Sequence, residues 1–370
     1  MKLLIIARPF VFHGGVERAT AGLVGALVEH GYDVHLLSPR GQQPMAGVTQ
    51  HRLPLPPLPA AARALALATA ARVVVARGGW DIVQSHERTL SQDVYRAGEG
   101  CHRAYLESAA GQRRARSVYH RIVLALERRV FRTTPEIVAI AKRGATEIAS
   151  LYGVAPARIS VVYNGVDLER FHPRNRAAHR AAARAEAGIA ADAVTLLFVG
   201  NGFARKGLAS LIDALAQFTD PRRRLLVIGQ DDRRPFEAQA ARLGVLDRIV
   251  WLGLRADAER WYAAADVVAL PSRYEPFGNV HLEALASGVP VVASALAGGA
   301  EVVQEGRNGA VVDPRDSTAI ARALERLRAG REGELSDAAR SSAEPFTFAA
   351  QVAGFARIYR RFSRATCDFS

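Results

Sequence analysis

Residues 273–293 read RYEPFGNVHLEALASGVPVVA and divide into three parts. Pro276 and Gly278 predict a tight loop, because proline fixes φ and glycine accepts unusual backbone angles. Asn279 is a residue type that caps helices, and Gly288 is one that ends them. The final residues, VPVVA, predict a short buried strand. The stretch is therefore expected to run from a loop through one helix into a sheet.

Two acidic residues frame this stretch. Glu275 lies in the loop, and Glu283 lies about one turn into the helix, with seven residues between them. The amide groups at a helix N-terminus attract anions, whereas nearby carboxylates accept hydrogen bonds from hydroxyls. Both properties together suit a sugar attached to a diphosphate. The alternative is an ordinary loop, helix and strand with two surface acids.

A second informative stretch lies upstream, in residues 194–217. Its first six residues, VTLLFV, predict a buried strand, a glycine-rich loop follows, and a helix is expected from Leu208. Arg205 and Lys206 lie in that loop. Arginine can contact two phosphate oxygens at once and lysine supplies a point charge, so the loop is predicted to hold phosphates. It is not a Walker loop, because GxxxxGK[ST] is absent, and a solvated loop is the alternative.

Together, the two stretches resemble the motifs of retaining GT-B glycosyltransferases of family 4. In that family the first glutamate contacts the donor sugar, the second contacts the nucleotide ribose, and an Arg-Lys pair neutralises the departing diphosphate. The resemblance implies these roles for Glu275 (a candidate catalytic residue), Glu283, Arg205 and Lys206. It implies further donor contacts from Phe277, Gly278 and Asn279 beside the sugar and phosphates, Gly229 beside the nucleotide base, and Gly14 and Gly15 beside the diphosphate.

The first half of the chain opens with a predicted strand, helix and strand, at residues 3–7, 16–30 and 33–37. Such a βαβ opening favours a parallel sheet. Gly14 and Gly15 stand at the start of the helix, where glycine lets a backbone approach a phosphate closely. A simple steric turn is the alternative. No GxGxxG fingerprint follows the first strand, which disfavours a dinucleotide-dependent dehydrogenase.

The alternation of strands and helices continues through the second half and indicates a doubly wound domain. The resemblance covers nearly the whole chain and implies an α/β architecture of the GT-B type. We therefore expect two Rossmann-like, doubly wound domains that face a cleft. The expected division is an acceptor-binding domain at 1–166, a nucleotide-sugar-binding domain at 167–346, and a C-terminal helix at 347–370 that returns to the first domain.

Two further candidate catalytic residues lie in the first half. His86 follows the predicted strand 81–84, at the strand end where open α/β sheets bind ligands, so it is placed to touch the acceptor or the donor sugar. Glu99 lies between glycines and is predicted to orient or activate the acceptor hydroxyl. Here the chain looks closest to lipopolysaccharide core glucosyltransferases that modify heptose, which have Asp at this place. The alternatives are a structural histidine and a surface carboxylate paired with Arg96 or Arg103.

The net charge of +13 is unevenly distributed. Residues 1–170 hold 22 Lys and Arg against 13 Asp and Glu, whereas residues 171–370 hold 27 against 23. Within residues 100–132 a basic amphipathic helix is predicted, which is typical of binding to an anionic membrane surface. The resemblance also implies a membrane-interacting region there. The predicted membrane or acceptor contacts are Arg103, Arg113, Arg114, Arg116, Arg121, Arg128 and Arg129. The alternative is that the apolar face packs on its own domain and the arginines are solvated.

The sequence also predicts several absences. Cys101 and Cys367 lie in no metal-binding motif and no DxD triplet appears, so no metal or other cofactor is expected. No segment is long and apolar enough to span a membrane, and the first residues are too short an apolar run for a signal peptide. We expect a cytoplasmic monomer, peripheral on the inner membrane, that binds no nucleic acid.

The resulting prediction is a retaining glycosyltransferase that moves a hexose, with glucose the leading candidate, from a UDP-sugar to a heptose of the lipopolysaccharide core. Three alternatives stay open at this point. The first is a GT-B transferase with another donor or glycan acceptor. The second is a sugar-nucleotide epimerase or phosphorylase on a similar fold. The third is a basic protein without enzymatic activity that binds membranes or nucleic acid.

Overall fold

The computed structural model describes residues 1–10, 15–108, 117–327 and 332–365. The chain forms two compact units. Unit 1 comprises Met1–Gly165 and Phe348–Ser370, and unit 2 comprises Val166–Thr347. Gly14, Arg113, Arg114 and Arg116, which the sequence assigns to donor or membrane binding, lie outside the described residues.

The strands, in chain order, are β1 (Lys2–Ile6), β2 (Asp33–Pro39), β3 (Val48–Leu53), β4 (Ile82–Ser85), β5 (Val94–Ala97), β6 (Glu136–Ala139), β7 (Ile159–Val161), β8 (Val194–Val199), β9 (Arg223–Ile228), β10 (Ile249–Gly253), β11 (Val267–Leu270), β12 (Val291–Ser294) and β13 (Gly309–Val312). The helices are α1 (Gly15–Glu29), α2 (Ala60–Ala76), α3 (His102–Glu107), α4 (Val118–Thr133), α5 (Lys142–Tyr152), α6 (Asn175–Glu186), α7 (Leu208–Ala216), α8 (Arg234–Arg242), α9 (Ala258–Ala264), α10 (Val280–Ala286), α11 (Ser317–Arg326), α12 (Glu332–Ala343) and α13 (Phe348–Ala365).

Unit 1 is built on a seven-stranded parallel sheet with the order β3-β2-β1-β4-β5-β6-β7. Successive residues of β1 point to opposite faces of the sheet. Leu3 and Ile5 join a core with Phe355 and Tyr359 of α13, whereas Leu4 and Ile6 join a second core that includes residues of α2. The central strands are therefore buried on both sides, which explains their continuous apolar sequences.

Unit 2 is built on a six-stranded parallel sheet with the order β10-β9-β8-β11-β12-β13. Its helices bury Trp261 and Tyr262 of α9 completely. The Ala- and Arg-rich helix α6 is held in place by ion pairs from Arg180 and Arg184 to Asp266, which precedes β11. Both units are thus Rossmann-like α/β domains, as the sequence predicts.

Three elements were not predicted from the sequence: β5, α3 and α12. The strand β5 has only four residues, Val94–Ala97, and one of them is Arg96. A buried arginine interrupts the apolar pattern by which buried strands are recognised.

Among the described residues, no helix is long and apolar enough to cross a membrane.

Candidate functional site

The principal candidate site lies where the strand order of unit 2 reverses. The strands β8 and β11 are neighbours, although β9 and β10 lie between them in sequence. Arg205 and Lys206 follow β8, and Glu275 follows β11. The carboxyl ends of parallel strands at such a reversal point form the crevice in which α/β proteins bind ligands. The two stretches that the sequence singled out therefore meet at one edge of the sheet.

Glu275 forms ion pairs with both cations. Its Oε2 atom lies 2.9 Å from Nη1 of Arg205 and 3.0 Å from Nζ of Lys206. Arg205 also donates to the backbone oxygen of Tyr274 at 2.9 Å. Glu275 and Lys206 are buried, whereas the side chain of Arg205 is about one third exposed. One carboxylate thus pairs with two cations, so the cluster of Glu275, Arg205 and Lys206 has an excess of positive charge.

The pKa of Glu275 is set by opposing effects. Burial alone would raise the pKa of this carboxyl, but the positive charges of Lys206 and Arg205 and their hydrogen bonds lower it to about 2. Glu275 is therefore ionised at neutral pH and holds no proton to donate. It can accept hydrogen bonds and can stabilise positive charge.

Glycines allow the backbone to approach these side chains. Gly200 has φ +135°, and a Cβ atom there would lie 2.4 Å from Cε of Lys206. Gly278 has φ +85°, and a Cβ there would lie 3.0 Å from Cγ of Glu275. Gly229 lies against the loop after β8, since its Cβ would be 2.4 Å from the oxygen of Gly200. These positions require glycine because the backbone angles and the close contacts both exclude a side chain.

The helix α10 carries Glu283 toward a partner that the sequence did not reveal. The buried hydroxyl of Tyr262 donates to Oε2 of Glu283 at 2.7 Å and fixes the direction of the carboxylate. Tyr262 lies 21 residues upstream, in the short helix α9, so only the tertiary structure identifies it. Asn279 precedes α10, but its side chain makes no capping hydrogen bond, which corrects the predicted capping role.

His281 is a second residue that the sequence analysis missed. It is fully buried, and its Nδ1 donates to the backbone oxygen of Gly278 at 2.7 Å. Burial lowers the pKa of this imidazole, so it is neutral at neutral pH. Gly299 packs on the ring, since a Cβ there would lie 2.3 Å from Nδ1. The amide of Gly299 also donates to the oxygen of Phe277 at 2.7 Å. His281 and Gly299 together hold the loop that carries Glu275.

A second candidate site lies in unit 1, at the reversal point between β1 and β4. The residues after β1, β4 and β5 line a pocket there, and they include Arg8, His86, Glu87 and Glu99. Arg8 pairs with Glu87 at 2.8 Å and with Glu99 at 2.7 Å. Arg88 pairs with Glu99 at 3.2 Å. Glu99 is therefore bound to Arg8 and Arg88, and not to Arg96 or Arg103 as its structural alternative proposed.

The pKa of Glu99 shows the same competition as that of Glu275. Burial would raise this pKa, but the charges of Arg8 and Arg88 lower it overall. Glu99 is thus a carboxylate at neutral pH and a weak base. A carboxylate with a lowered pKa accepts hydrogen bonds but abstracts protons poorly.

Glu127 pairs with Arg88 of this cluster. Nothing in the sequence indicates this role, because Glu127 lies in no motif. It is completely buried in α4 and pairs with Arg88 at 3.0 Å. It also accepts hydrogen bonds from the hydroxyl of Tyr152 at 2.6 Å and from the amides of His102 and Arg103 at 2.8 Å and 3.0 Å. Glu127 therefore fixes the start of α3 and the position of Arg88.

His86 is buried beside the same pocket. Its Nε2 accepts a hydrogen bond from the amide nitrogen of Gln84 at 2.8 Å. Burial and the nearby charge of Arg96 lower the pKa of His86 well below its usual value, so the ring is neutral. A neutral imidazole at this place can donate or accept one hydrogen bond, but it carries no charge.

The arginine-rich helix α4 differs from the prediction. Its apolar residues Val123, Leu126 and Val130 are buried within unit 1, so this face is not available to a membrane. Tyr119, which was predicted on the same face, is 37% exposed. The apolar face therefore packs inside unit 1, as in the alternative that the sequence left open.

The arginines assigned to membrane contact lie on the surface where the structure describes them. Arg121, Arg128 and Arg129 are exposed on α4. Arg103 is exposed on α3, pairs with Glu107 at 2.8 Å and donates to the oxygen of Leu151.

Gly15, one of the two glycines assigned to the donor diphosphate, is the first residue of α1. In the part of the chain that the structure describes, no group of three or more His, Cys, Asp and Glu could hold a metal ion.

The sequence matches two family models in succession. The model described as Glycosyltransferase Family 4 matches residues 13–170, and the model described as Glycosyl transferases group 1 matches residues 193–329. A relative, the D-inositol 3-phosphate glycosyltransferase of Xylanimonas cellulosilytica, is 36% identical over 252 residues, which are 64% of this chain and 60% of the relative. The chain thus spans about three fifths of the length of this relative.

Solved structures show the same architecture. The chain is similar to WaaG, a glycosyltransferase involved in lipopolysaccharide biosynthesis, with a TM-score of 0.81, 24% identity, and coverage of 96% of this chain and 98% of WaaG. It is also similar to Anabaena Alr3699/HepE in complex with UDP and glucose, with a TM-score of 0.74, 22% identity, and coverage of 98% and 100%. At these identities the similarity shows the fold. Together with the two family matches, it shows the GT-B fold of two Rossmann-like domains and a likeness to the group 1 and family 4 glycosyltransferases.

Proposed function

We propose that the chain is a retaining glycosyltransferase that moves a hexose from a UDP-sugar, with UDP-glucose the leading donor, to an acceptor hydroxyl. The observation that carries this proposal is the meeting of Arg205, Lys206 and Glu275 at the reversal point of unit 2. Two cations that share one carboxylate suit a diphosphate. The UDP named in the solved HepE structure supports the choice of nucleotide.

Donor binding begins, in this proposal, with an exchange of partners. The diphosphate takes over the hydrogen bonds of Arg205 and Lys206, and Glu275 turns to the hydroxyls of the donor sugar. Lys206 is nearly buried, so its charge is weakly screened and acts strongly on the leaving phosphate. Glu283, fixed by Tyr262, accepts hydrogen bonds from the ribose.

The transfer step joins the acceptor oxygen to the anomeric carbon as the bond from that carbon to the diphosphate breaks on the same face. The acceptor proton passes to an oxygen of the departing diphosphate. Glu275 does not take this proton, because its low pKa makes it a weak base. Its charge instead stabilises the positive charge that develops on the sugar ring. No metal ion takes part in this proposal.

The acceptor is assigned to unit 1, where Glu99 orients its hydroxyl while Arg8 and Arg88 hold the carboxylate. The leading acceptor is a heptose of the lipopolysaccharide core. D-inositol 3-phosphate, in the name of the relative, is the second acceptor to test. We also propose peripheral attachment to the cytoplasmic face of the inner membrane through the exposed arginines of α4. The proposed assembly is a monomer.

Calorimetric titration with UDP, GDP, ADP and UDP-glucose in the presence of EDTA tests the donor site. We expect UDP and UDP-glucose to bind in preference to the other nucleotides, and Glu283→Ala to weaken both. Transfer from UDP-glucose to the two acceptors is then followed by release of UDP. Absence of nucleotide binding in a folded protein would contradict the proposed function.

A further inference from the structure

A second pocket of unit 1 belongs to neither candidate site. It is lined by residues of α3 and by the last turns of α4 and α5, together with the segment that leads into β7. The ends of α4 and α5 lead into the amino ends of β6 and β7, whereas the two candidate sites follow the carboxyl ends of strands. The pocket therefore lies outside the region in which α/β proteins usually bind their substrates.

Four arginines line this pocket, which is called the arginine pocket below: Arg103, Arg128, Arg132 and Arg158. No Asp or Glu is among the described residues that line it. Arg103 pairs with Glu107 at 2.8 Å, so four arginines and one carboxylate leave an excess of three positive charges. Arg128 and Arg132 are four residues apart on α4 and lie side by side, an arrangement of like charges that destabilises a helix.

Two of the arginines have a structural role. Arg158 donates through Nη2 to the backbone oxygen of Phe131 at 3.0 Å and to that of Thr134, both at the end of α4. Arg103 donates to the oxygen of Leu151 at 2.8 Å, in the last turn of α5. Carbonyl groups at a helix C-terminus need such partners. Because Arg103 and Arg158 already supply them, capping does not account for the other two arginines.

The wall of the arginine pocket is held in place from inside unit 1. The hydroxyl of Tyr152 donates to the buried carboxylate of Glu127 at 2.6 Å, and the amide of Arg103 donates to the same carboxylate at 3.0 Å. The charge of Glu127 is paired with Arg88 at 3.0 Å, so it does not offset the arginines of the pocket. A wall that is fixed before binding lowers the entropic cost of holding a ligand.

The size and the lining of the pocket indicate the class of ligand. Its volume is about 340 Å³, within the range of small-molecule sites. At about 30 Å³ each, roughly ten water-sized groups fit there, which suits two phosphate groups better than one. A phosphate monoester carries a charge of about −1.5 to −2, so the excess of positive charge also calls for more than one. Phe131 and Val154 are buried and Leu151 is half-buried, so the wall offers little apolar surface to a lipid.

We propose that the arginine pocket binds a soluble anion with two phosphate groups, a diphosphate or a bisphosphate, at a site separate from that of the donor. A guanidinium group can hold two phosphate oxygens in parallel, which makes arginine well suited to this ligand. Arg128 and Arg132 bind the phosphates, and Arg103 and Arg158 add positive charge from fixed positions. The inference goes beyond the proposed function and does not depend on it.

The test is calorimetric titration of the whole chain with inorganic pyrophosphate at about 0.15 M salt, which screens exposed charges. The test variant is Arg128→Met combined with Arg132→Met. The control variant, Arg121→Met combined with Arg129→Met, makes the same change of charge on the same helix outside the pocket. We expect the wild type to bind pyrophosphate at the arginine pocket and at the cluster of Arg205 and Lys206. The test variant should lose at least tenfold in affinity at one site, and the control should retain both.

Lys206→Met separates this proposal from the proposed function. Pyrophosphate binding that remains in Lys206→Met, and that the test substitutions then remove, belongs to the arginine pocket whether or not the chain binds UDP. Binding that is absent in Lys206→Met, or that the control substitutions weaken equally, overturns the proposal. Inorganic phosphate should bind this site at least tenfold more weakly than pyrophosphate, and equal affinities would overturn the assignment of two phosphate groups.

Vesicles of phosphatidylglycerol distinguish the pocket from the basic surface of α4. Membrane attachment through exposed arginines depends on their total charge, so the test and control variants should weaken vesicle binding equally. Vesicle binding that falls in the test variant alone, without binding of pyrophosphate, would assign the pocket to a lipid headgroup and overturn the soluble ligand.

Thermal unfolding guards against a failure to fold. Arg128 and Arg132 are exposed and have like charges, so the ligand-free test variant should unfold at the temperature of the wild type or slightly above it. Pyrophosphate should raise the unfolding temperature of Lys206→Met, because it binds the folded state, and should not raise it once the test substitutions are added. An equal rise in both proteins would place the anion elsewhere and overturn the proposal.

Discussion

The two units use the same kinds of side chain with opposite charge balance. In unit 2, one carboxylate, Glu275, serves the two cations Arg205 and Lys206. In unit 1, the cations Arg8 and Arg88 are shared among three carboxylates, one of which is Glu127. The cluster of unit 2, with its excess of positive charge, therefore suits an anionic ligand. The cluster of unit 1, with its excess of carboxylates, suits hydroxyl groups.

The ion pairs at these sites stabilise the fold, and they also keep charged side chains in position to bind a ligand. A carboxylate that holds two cations can be replaced by a stronger anion, whereas a carboxylate that stays paired with arginines keeps accepting hydrogen bonds. Both Glu275 and Glu99 have lowered pKa values because each lies beside two cations. In unit 1, Arg96 instead donates to the neutral amide oxygen of Asn164.

The largest expected effect comes from removal of a cation in unit 2. Lys206→Met should lower UDP affinity by about 100-fold and transfer by more, because a buried charge-assisted hydrogen bond to phosphate is lost. Lys142→Met, which removes an exposed lysine of α5, is the matched control and should leave both quantities unchanged. Calorimetry and the UDP-release assay measure them. An unchanged UDP affinity in Lys206→Met would contradict the comparison.

A smaller effect is expected in unit 1. Glu99→Gln should lower the rate of transfer by about 10- to 100-fold, since the neutral amide accepts a weaker hydrogen bond from the acceptor hydroxyl. The affinity for UDP should stay constant, because Glu99 belongs to the other unit. Steady-state kinetics with UDP titration separates the two quantities. A parallel loss of UDP affinity would show that Glu99 acts on the donor.

The stability of the protein in acid provides a third test. The pKa of Glu275 is about 2 in the folded protein, below its ordinary value of 4.5. A carboxyl with a lowered folded pKa stabilises the protein above the unfolded pKa and loses this effect as the pH falls toward the folded pKa. The contribution is on the order of 3 kcal/mol.

Chemical denaturation of the wild type and of Glu275→Gln between pH 7 and pH 2 measures how much the ionised Glu275 stabilises the fold. The difference in unfolding free energy should be constant above about pH 5 and should decrease below it. A difference that stays constant down to pH 2 would falsify the coupling of Glu275 to the two cations.

The smallest expected effect concerns Glu283. Tyr262→Phe removes the hydroxyl that orients this carboxylate and should weaken UDP binding by about 3- to 10-fold, which corresponds to one hydrogen bond. UDP titration measures the change. If the affinity for inorganic pyrophosphate falls equally, the effect is not on the ribose contact.

Much of the site in unit 2 could be predicted from the sequence, because its residues lie in two short continuous motifs. Local glycines and spacing mark both motifs, and the order of strands brings them together. The ion network of unit 1 could not be predicted in this way. Arg8 and Glu87 are 79 residues apart and Arg88 and Glu127 are 39 apart, and none of them lies in a recognisable motif.

The errors have similar causes. The helix α4 has an amphipathic pattern, but a pattern does not say whether the apolar face meets a membrane or the protein core, and here it meets the core. The strand β5 escaped prediction because Arg96 occupies a buried position whose purpose is not visible in one sequence. Both cases depend on long-range packing.

In the proposed mechanism, Glu275 pairs with Arg205 and Lys206 until the donor diphosphate takes its place. The most direct measurement is the affinity of Glu275→Gln and of Lys206→Met for inorganic pyrophosphate, by calorimetry, beside the wild type. We predict changes of opposite sign, with tighter binding in Glu275→Gln and weaker binding in Lys206→Met. Equal losses in both folded variants, or no change in either, would contradict it.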